Sequence, residues 1–221
     1  MDEVREFCQR VLGAGAAAGE AAGEALSSQL PAPAGAAGRT IWAPSGAGPT
    51  DRIETLAAAC RACRARALGE AAARPAQPGA AELSLGESVA LELAAATARL
   101  PERQREALAL RELLALSYDQ ISQVMGIEPA AVAPLLARAR LALCAERRGS
   151  VTEHRACAES DRAWRALAQR QDSEPRVVDD GEWLPEHLAQ CVECDRAHAA
   201  MIEASACYRA WPTNDGIPMT R

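Results

Sequence analysis

Apolar residues recur at helical spacing along several stretches of the chain and almost nowhere at period two, so the sequence reads as all-α. The sharpest pattern fills residues 100–143, LPERQREALALRELLALSYDQISQVMGIEPAAVAPLLARARLAL. Pro101 suits a first helical position, and Ala107, Leu108, Leu110, Leu113 and Leu114 give a broad apolar face over about three to four turns. Ser117 and Gln120 have the spacing of a capping box. Ile121, Val124 and Met125 then recur at i, i+3 and i+4 before Gly126 stops the helix. Val132, Leu135, Leu136, Ala139 and Leu143 predict a third helix over about 129–145. Pro134 falls inside it at a cost of about 3 kcal/mol, so that helix is kinked or starts late, near Val132. Helix, helix, tight turn and helix make a helix-turn-helix.

The rest is less strongly patterned. Residues 2–30 read as an alanine-rich helix interrupted around Gly13 to Gly23, 31–50 as a Pro/Gly-rich loop, and 51–67 as a helix. Residues 68–85 form a linker, and a helix over about 83–98 leads into the helix-turn-helix. Near the C-terminus, Met201, Ala204, Tyr208 and Trp211 form an amphipathic stripe with Ser205 as a polar gap.

Composition makes these modules small. The hydrophobic fraction is 49%, but much of it is alanine and only 3% of residues are aromatic, which leaves few bulky side chains for a thick core. The net charge is −6, and every basic residue other than histidine is arginine. Residues 101–150 carry 7 Arg against 6 acids, while residues 151–221 carry 8 Arg against 13 acids. The helix-turn-helix is thus weakly basic for a nucleic-acid binder, and the acidic C-terminal third opposes DNA binding. The acidic start lacks the pattern of a signal peptide, and no apolar run of membrane-spanning length occurs, so the expected location is the cytoplasm. The eight cysteines are then expected to be reduced, metal-bound or buried. No catalytic constellation stands out, and the chain is read as a non-enzyme.

One cluster carries chemistry. HLAQCVEC places His187, Cys191 and Cys194 at H-x3-C-x2-C, residue types and spacing suited to Zn²⁺. On one continuous helix the three would form a stripe, so closing a tetrahedron requires a bend near Cys191. Cys60 and Cys63 also form C-x2-C, but they share a helix face with Leu56 and Ala59 and are read as small apolar core residues.

LPERQREALALREL, SYDQISQVMG and V-x3-L-x-RAR-x-AL together resemble region four of bacterial RNA polymerase sigma factors of the extracytoplasmic-function group. AGEAAGEAL at residues 18–26 faintly resembles sigma region two. The resemblance implies a module that docks on core RNA polymerase and places its last helix on promoter DNA, with Ser117, Gln120, Arg138, Arg140 and Arg147 as the DNA-binding set. Where the family carries Lys-Ser-Arg at the start of that helix, this chain has Ala133, Pro134 and Leu135, none of which donates from its side chain.

The C-terminal segment resembles the zinc-finger domain of zinc-binding anti-sigma factors, which implies a fourth ligand from an upstream helix, Cys157 or alternatively His154. Asp180, Gly181 and Glu182 match a short turn of that family, but lie closer to His187 than usual. The family's last helix clasps a sigma domain, so 197–211 either folds back in cis on a sigma-like surface or completes its own module. The expected organisation is a divergent region-two-like segment at 1–67, the linker at 68–85, the region-four-like segment at 86–148, the zinc module at 151–211 and a tail at 212–221. The expected function is a sigma-like regulator of transcription initiation with a C-terminal zinc module. The alternative is an interaction or redox-sensor module of the anti-sigma kind that no longer reads DNA.

Overall fold

In the computed structural model, the residues described are 2–13, 16–27, 49–70, 85–149, 157–174 and 182–211. Among them are ten α-helices, one π-helical turn and no strand: an all-α fold. The helices are α1 (Asp2–Leu12), α2 (Ala16–Ser27), α3 (Pro49–Glu70), α4 (Leu85–Ala98), α5 (Glu102–Leu108), α6 (Tyr118–Met125), α7 (Pro129–Arg148), α8 (Ser160–Gln171), α9 (Trp183–Gln190) and α10 (Val192–Arg209). Among these residues no helix is long and apolar enough to cross a membrane. The chain divides into two compact units, residues 1–74 with 123–126, and residues 75–122 with 127–221. The region expected to hold the helix-turn-helix and the region expected to bind zinc therefore fall largely in one unit.

In the first unit α1, α2 and α3 pack on one another. The break between α1 and α2 comes at Gly13, whose φ of +89° only glycine adopts cheaply, whereas Gly19 and Gly23 lie inside α2. Of the glycines in the expected interruption, Gly13 breaks the helix and Gly19 and Gly23 do not, while Gly15 lies outside the described residues. Alanines 18, 21, 22 and 25 supply the buried face of α2, against Phe7, Val11 and Leu56 as the bulkier core members. Cys8, Cys60 and Cys63 are all buried, the position expected of small apolar side chains.

The second unit is built around α7, which packs against α4, α5, α8 and α10. Its helix begins at Pro129 and runs through Pro134. The carbonyl of Ala130, deprived of its partner by that proline, belongs to an exposed residue of the first turn, where water can replace the lost bond. Gly149, at φ +58°, closes the C-terminus. The helix before it is less regular than its pattern suggests: α5 passes into a π-helical turn over Ala109–Leu113, and Ala115 at φ +51° ends it. Ser117 and Gln120 form the capping box of α6. Gln120 Oε1 accepts from the Ser117 amide at 3.0 Å, and the Gln120 amide donates to Ser117 Oγ at 3.3 Å.

The centre of this unit is ionic. Arg140 of α7 and Glu112 of the π turn are both 0% exposed, and Arg140 Nε and Nη2 donate to Glu112 Oε1 at 2.8 and 2.6 Å. Arg140 Nη2 also donates to Asp172 Oδ1, just past α8, at 2.7 Å. The Tyr118 hydroxyl donates to Asp172 Oδ2 at 2.7 Å. From α10, Ser205 Oγ donates to Glu112 Oε1 at 2.8 Å and Arg209 Nε to Glu112 Oε2 at 2.7 Å. Arg111 closes the rim, with Nη1 on Glu174 Oε1 at 3.0 Å and Nη2 on the Asp172 carbonyl at 2.7 Å. Burial works against the charge on Arg140, but the Asp172 and Glu112 carboxylates outweigh it and hold the guanidinium above its ordinary pKa. The Tyr118 phenol is pushed up by burial and by the carboxylate it faces.

A buried ion pair adds little over an apolar core, but losing one partner strands the other in a low dielectric. Arg140→Ala should therefore cost about 3–5 kcal/mol, a large share of the roughly 5–15 kcal/mol that holds a domain together. The exposed Arg138→Ala should cost under about 0.5 kcal/mol. Urea unfolding of the two variants measures the difference directly.

Candidate metal centre and helix-turn-helix surface

Four side chains converge on one point. Cys157 lies just before α8 and its carbonyl accepts from the Ser160 amide at 3.1 Å. His187 is on α9, Cys191 between α9 and α10, and Cys194 in the first turn of α10. Cys191 is extended, at φ −113° and ψ +95°, so α9 and α10 are separate helices with the bend at the residue where ligand geometry requires one. The donor atoms of the four residues all lie within 4.8 Å of one another.

Cys157 Sγ is 3.5 Å from Cys194 Sγ and 3.7 Å from His187 Nε2. A tetrahedron with metal–sulfur bonds of about 2.3 Å and a metal–nitrogen bond of about 2.0 Å has edges of about 3.8 and 3.6 Å, so the cluster has the dimensions to hold one ion. None of the eight cysteines is disulfide-bonded. The backbone N–H of Cys194 pulls the Cys191 thiol below its ordinary pKa, whereas burial and then the neighbouring Cys157 and Cys191 sulfurs push Cys194 well above. A thiolate at Cys194 is thus opposed by its burial and by the sulfurs beside it. A dication among them removes that conflict.

The His187 ring is held by a stack. Trp183, one turn earlier on α9, lies 4.8 Å from it at 20°, and the Arg162 guanidinium of α8 sits 4.0 Å above the Trp183 ring. The alternative ligand His154 and the turn residues Asp180 and Gly181 lie outside the described residues, as does the tail at 212–221. Among the described residues Cys8, Cys60 and Cys63 do not form a comparable group.

The residues expected on DNA are placed differently from one another. Arg140, expected on DNA, points into the ionic centre, where its side chain is 0% exposed. Ser117 and Gln120 spend their side chains on the capping box. Arg147 is half-buried against α10, beside Glu203 at 3.4 Å and with Nη1 on Cys207 Sγ at 2.9 Å. Arg148 pairs with the same Glu203. Arg138 is exposed and has Asp161 of α8 at 3.4 Å.

Every arginine of α7 thus has a carboxylate partner from the acidic C-terminal segment: Asp161, Asp172 or Glu203. Ala133, read as part of an exposed helix start, is buried, so only Pro134 and Leu135 of that triplet are partly exposed. The exposed first turn of α7 is Pro129, Ala130 and Ala131, with no side-chain donor among them.

The ionic centre itself escaped sequence reasoning, although a signal was present. Arg140 stands four residues after Leu136 and three before Leu143, Glu112 midway between Leu108 and Leu116, and Ser205 four after Met201 and three before Tyr208. Each is a polar residue on an apolar stripe, and three such residues on separate segments are a buried network awaiting its partners.

Comparison with known proteins agrees with the pattern of the central segment. Residues 90–143, about a quarter of the chain, match the family model of Sigma-70, region 4. No curated protein and no solved structure matches the chain.

Proposed function

We propose that this chain is a sigma-region-four-like regulator that acts in transcription initiation through core RNA polymerase, with a structural zinc site in its C-terminal module. The observation that carries the reading is the region-four match, which spans α5, the π turn, α6 and most of α7. The zinc assignment rests on the chemistry of the donors: three thiols and an imidazole within 4.8 Å of one another suit Zn²⁺, and a complete protein ligand set leaves no open position for catalysis. When bound, zinc supplies folding free energy to a segment poor in bulky side chains.

Promoter DNA is the weaker of the two partners. An exposed ion pair is worth about 0–1 kcal/mol, so DNA phosphates can compete with Asp161 and Glu203 for Arg138, Arg147 and Arg148. They cannot compete for Arg140. With one well-exposed arginine on α7 away from its C-terminus and alanine and proline on the first turn, DNA contact is limited to a few phosphates and lacks base readout. The second reading is a protein-interaction module that has kept the region-four scaffold and lost its DNA surface; the missing donors favour it.

The two readings separate in a capture assay with core polymerase followed by promoter binding at two salt concentrations. Polymerase capture with weak, salt-sensitive DNA binding is the result expected for the first. In that case Arg138→Ala should weaken binding uniformly across sequences and lower the salt slope by about one unit. A loss confined to one promoter sequence would contradict the phosphate role. Failure to capture polymerase under any condition would contradict the first reading as a whole.

Metal analysis of protein purified under reducing conditions should give about one zinc per chain, lost on Cys157→Ser, Cys191→Ser or Cys194→Ser and retained on Cys60→Ser. Zinc retained by Cys157→Ser and lost by His154→Ala would show the ligand set to be wrong.

A further inference from the structure

Helices α8 and α10 are fastened to each other at both ends. At their starts, Cys157 and Cys194 bring their sulfurs to 3.5 Å. Near their finishes, Gln171 Nε2 donates to Ser205 Oγ at 2.7 Å. Fourteen residues separate Cys157 from Gln171 and eleven separate Cys194 from Ser205, so the two helices run side by side in the same direction, with fastenings roughly 16 Å apart. The far fastening is not private to them. Ser205 and Arg209 on α10, and Asp172 at the end of α8, are also the groups that satisfy Glu112 and Arg140 of the helix-turn-helix.

From this geometry we infer that the metal site and the helix-turn-helix are one folding unit, so that metal loading decides whether the region-four surface exists and not whether it is uncovered. The inference rests on the reading of the Cys₃His cluster as a zinc site.

A detachable cover would leave a satisfied surface behind when it lifts, and this one does not. Without α8 and α10, Glu112 loses the Ser205 hydroxyl and the Arg209 guanidinium, Arg140 loses Asp172, and the Tyr118 hydroxyl loses its acceptor. The same lift would expose the apolar faces of the two helices themselves, among them Leu167, Met201 and Tyr208, all buried in the intact unit. The ligands hold the other end: Cys157 precedes α8 directly, and Cys191 and Cys194 open α10. Removing the ion frees the starts of both helices, which carry alanine-rich faces with little stability of their own. Their finishes are then held only by the ionic centre and the apolar packing beside it.

The test is peptide-resolved hydrogen exchange of the full chain, zinc-loaded and then stripped with a chelator under reducing conditions, with metal content measured in both states. The expected result is that amides of residues 102–113 and 129–148 lose protection together with those of 160–171 and 192–209, while α1–α3 keep theirs. Stripped protein should also bind core polymerase more weakly than loaded protein. Protection retained over 129–148 after α8 and α10 have opened, or tighter polymerase binding on stripping, would overturn the inference.

The ionic end is tested separately, without touching a ligand, by Asp172→Asn and the milder Ser205→Ala at unchanged metal content. Faster exchange over 129–148 in these variants is the result expected, and exchange identical to wild type would refute the coupling. Protein that carries no metal would refute the zinc reading and, with it, the role of metal loading. The coupling would then be decided by these two variants.

Discussion

The second unit depends on one constraint: a guanidinium fully removed from water must have its charge and its donors matched. Arg140 meets it by binding Glu112 on the preceding π turn and Asp172 beyond α8, and those carboxylates in turn recruit Tyr118, Ser205 and Arg209. The bookkeeping is nearly closed, with Nη1 of Arg140 the one nitrogen of that side chain lacking an acceptor among the described residues. Such a cluster is a poor source of net stability and a good source of registry, because few arrangements of the five segments satisfy it at once. It dictates how α7, α8 and α10 meet.

That constraint also explains the electrostatics of the helix-turn-helix. The region matched to Sigma-70, region 4 carries as many acids as arginines, and the C-terminal segment that packs on it is acidic. Their packing places a carboxylate against each arginine of α7. The rim pairs are exposed or half-buried and exchangeable. The central pair is not, and it is the difference between a clasp that phosphates could displace and one that belongs to the core.

Much of this was legible in the sequence because it depends on local rules. The helical period, the Ser117–Gln120 capping box, the stop at Gly126 and the bend needed at Cys191 follow from spacing within one turn or two. The α7 helix was legible in position, starting at Pro129; of the two alternatives raised by Pro134 the late start did not occur, since an exposed first turn tolerates that proline. What spacing could not reveal was which way Arg140 faces. An arginine on a weakly basic helix invites assignment to solvent, and its partners lie 28 and 32 residues away on segments whose own polar residues look like flaws in their stripes. Ser205, read as a gap in the amphipathic face of α10, is the point at which that helix touches Glu112.

The most direct measurement is arginine side-chain NMR of the full chain with promoter DNA added at low salt. The Nε–H of Arg140 should exchange with water far more slowly than that of Arg138 and should keep its shift when DNA is added, while Arg138 moves. An Arg140 resonance that exchanges as fast as Arg138, or that shifts with DNA, would contradict the account of a core guanidinium shared between the helix-turn-helix and the helices that carry the Cys157–His187–Cys191–Cys194 cluster.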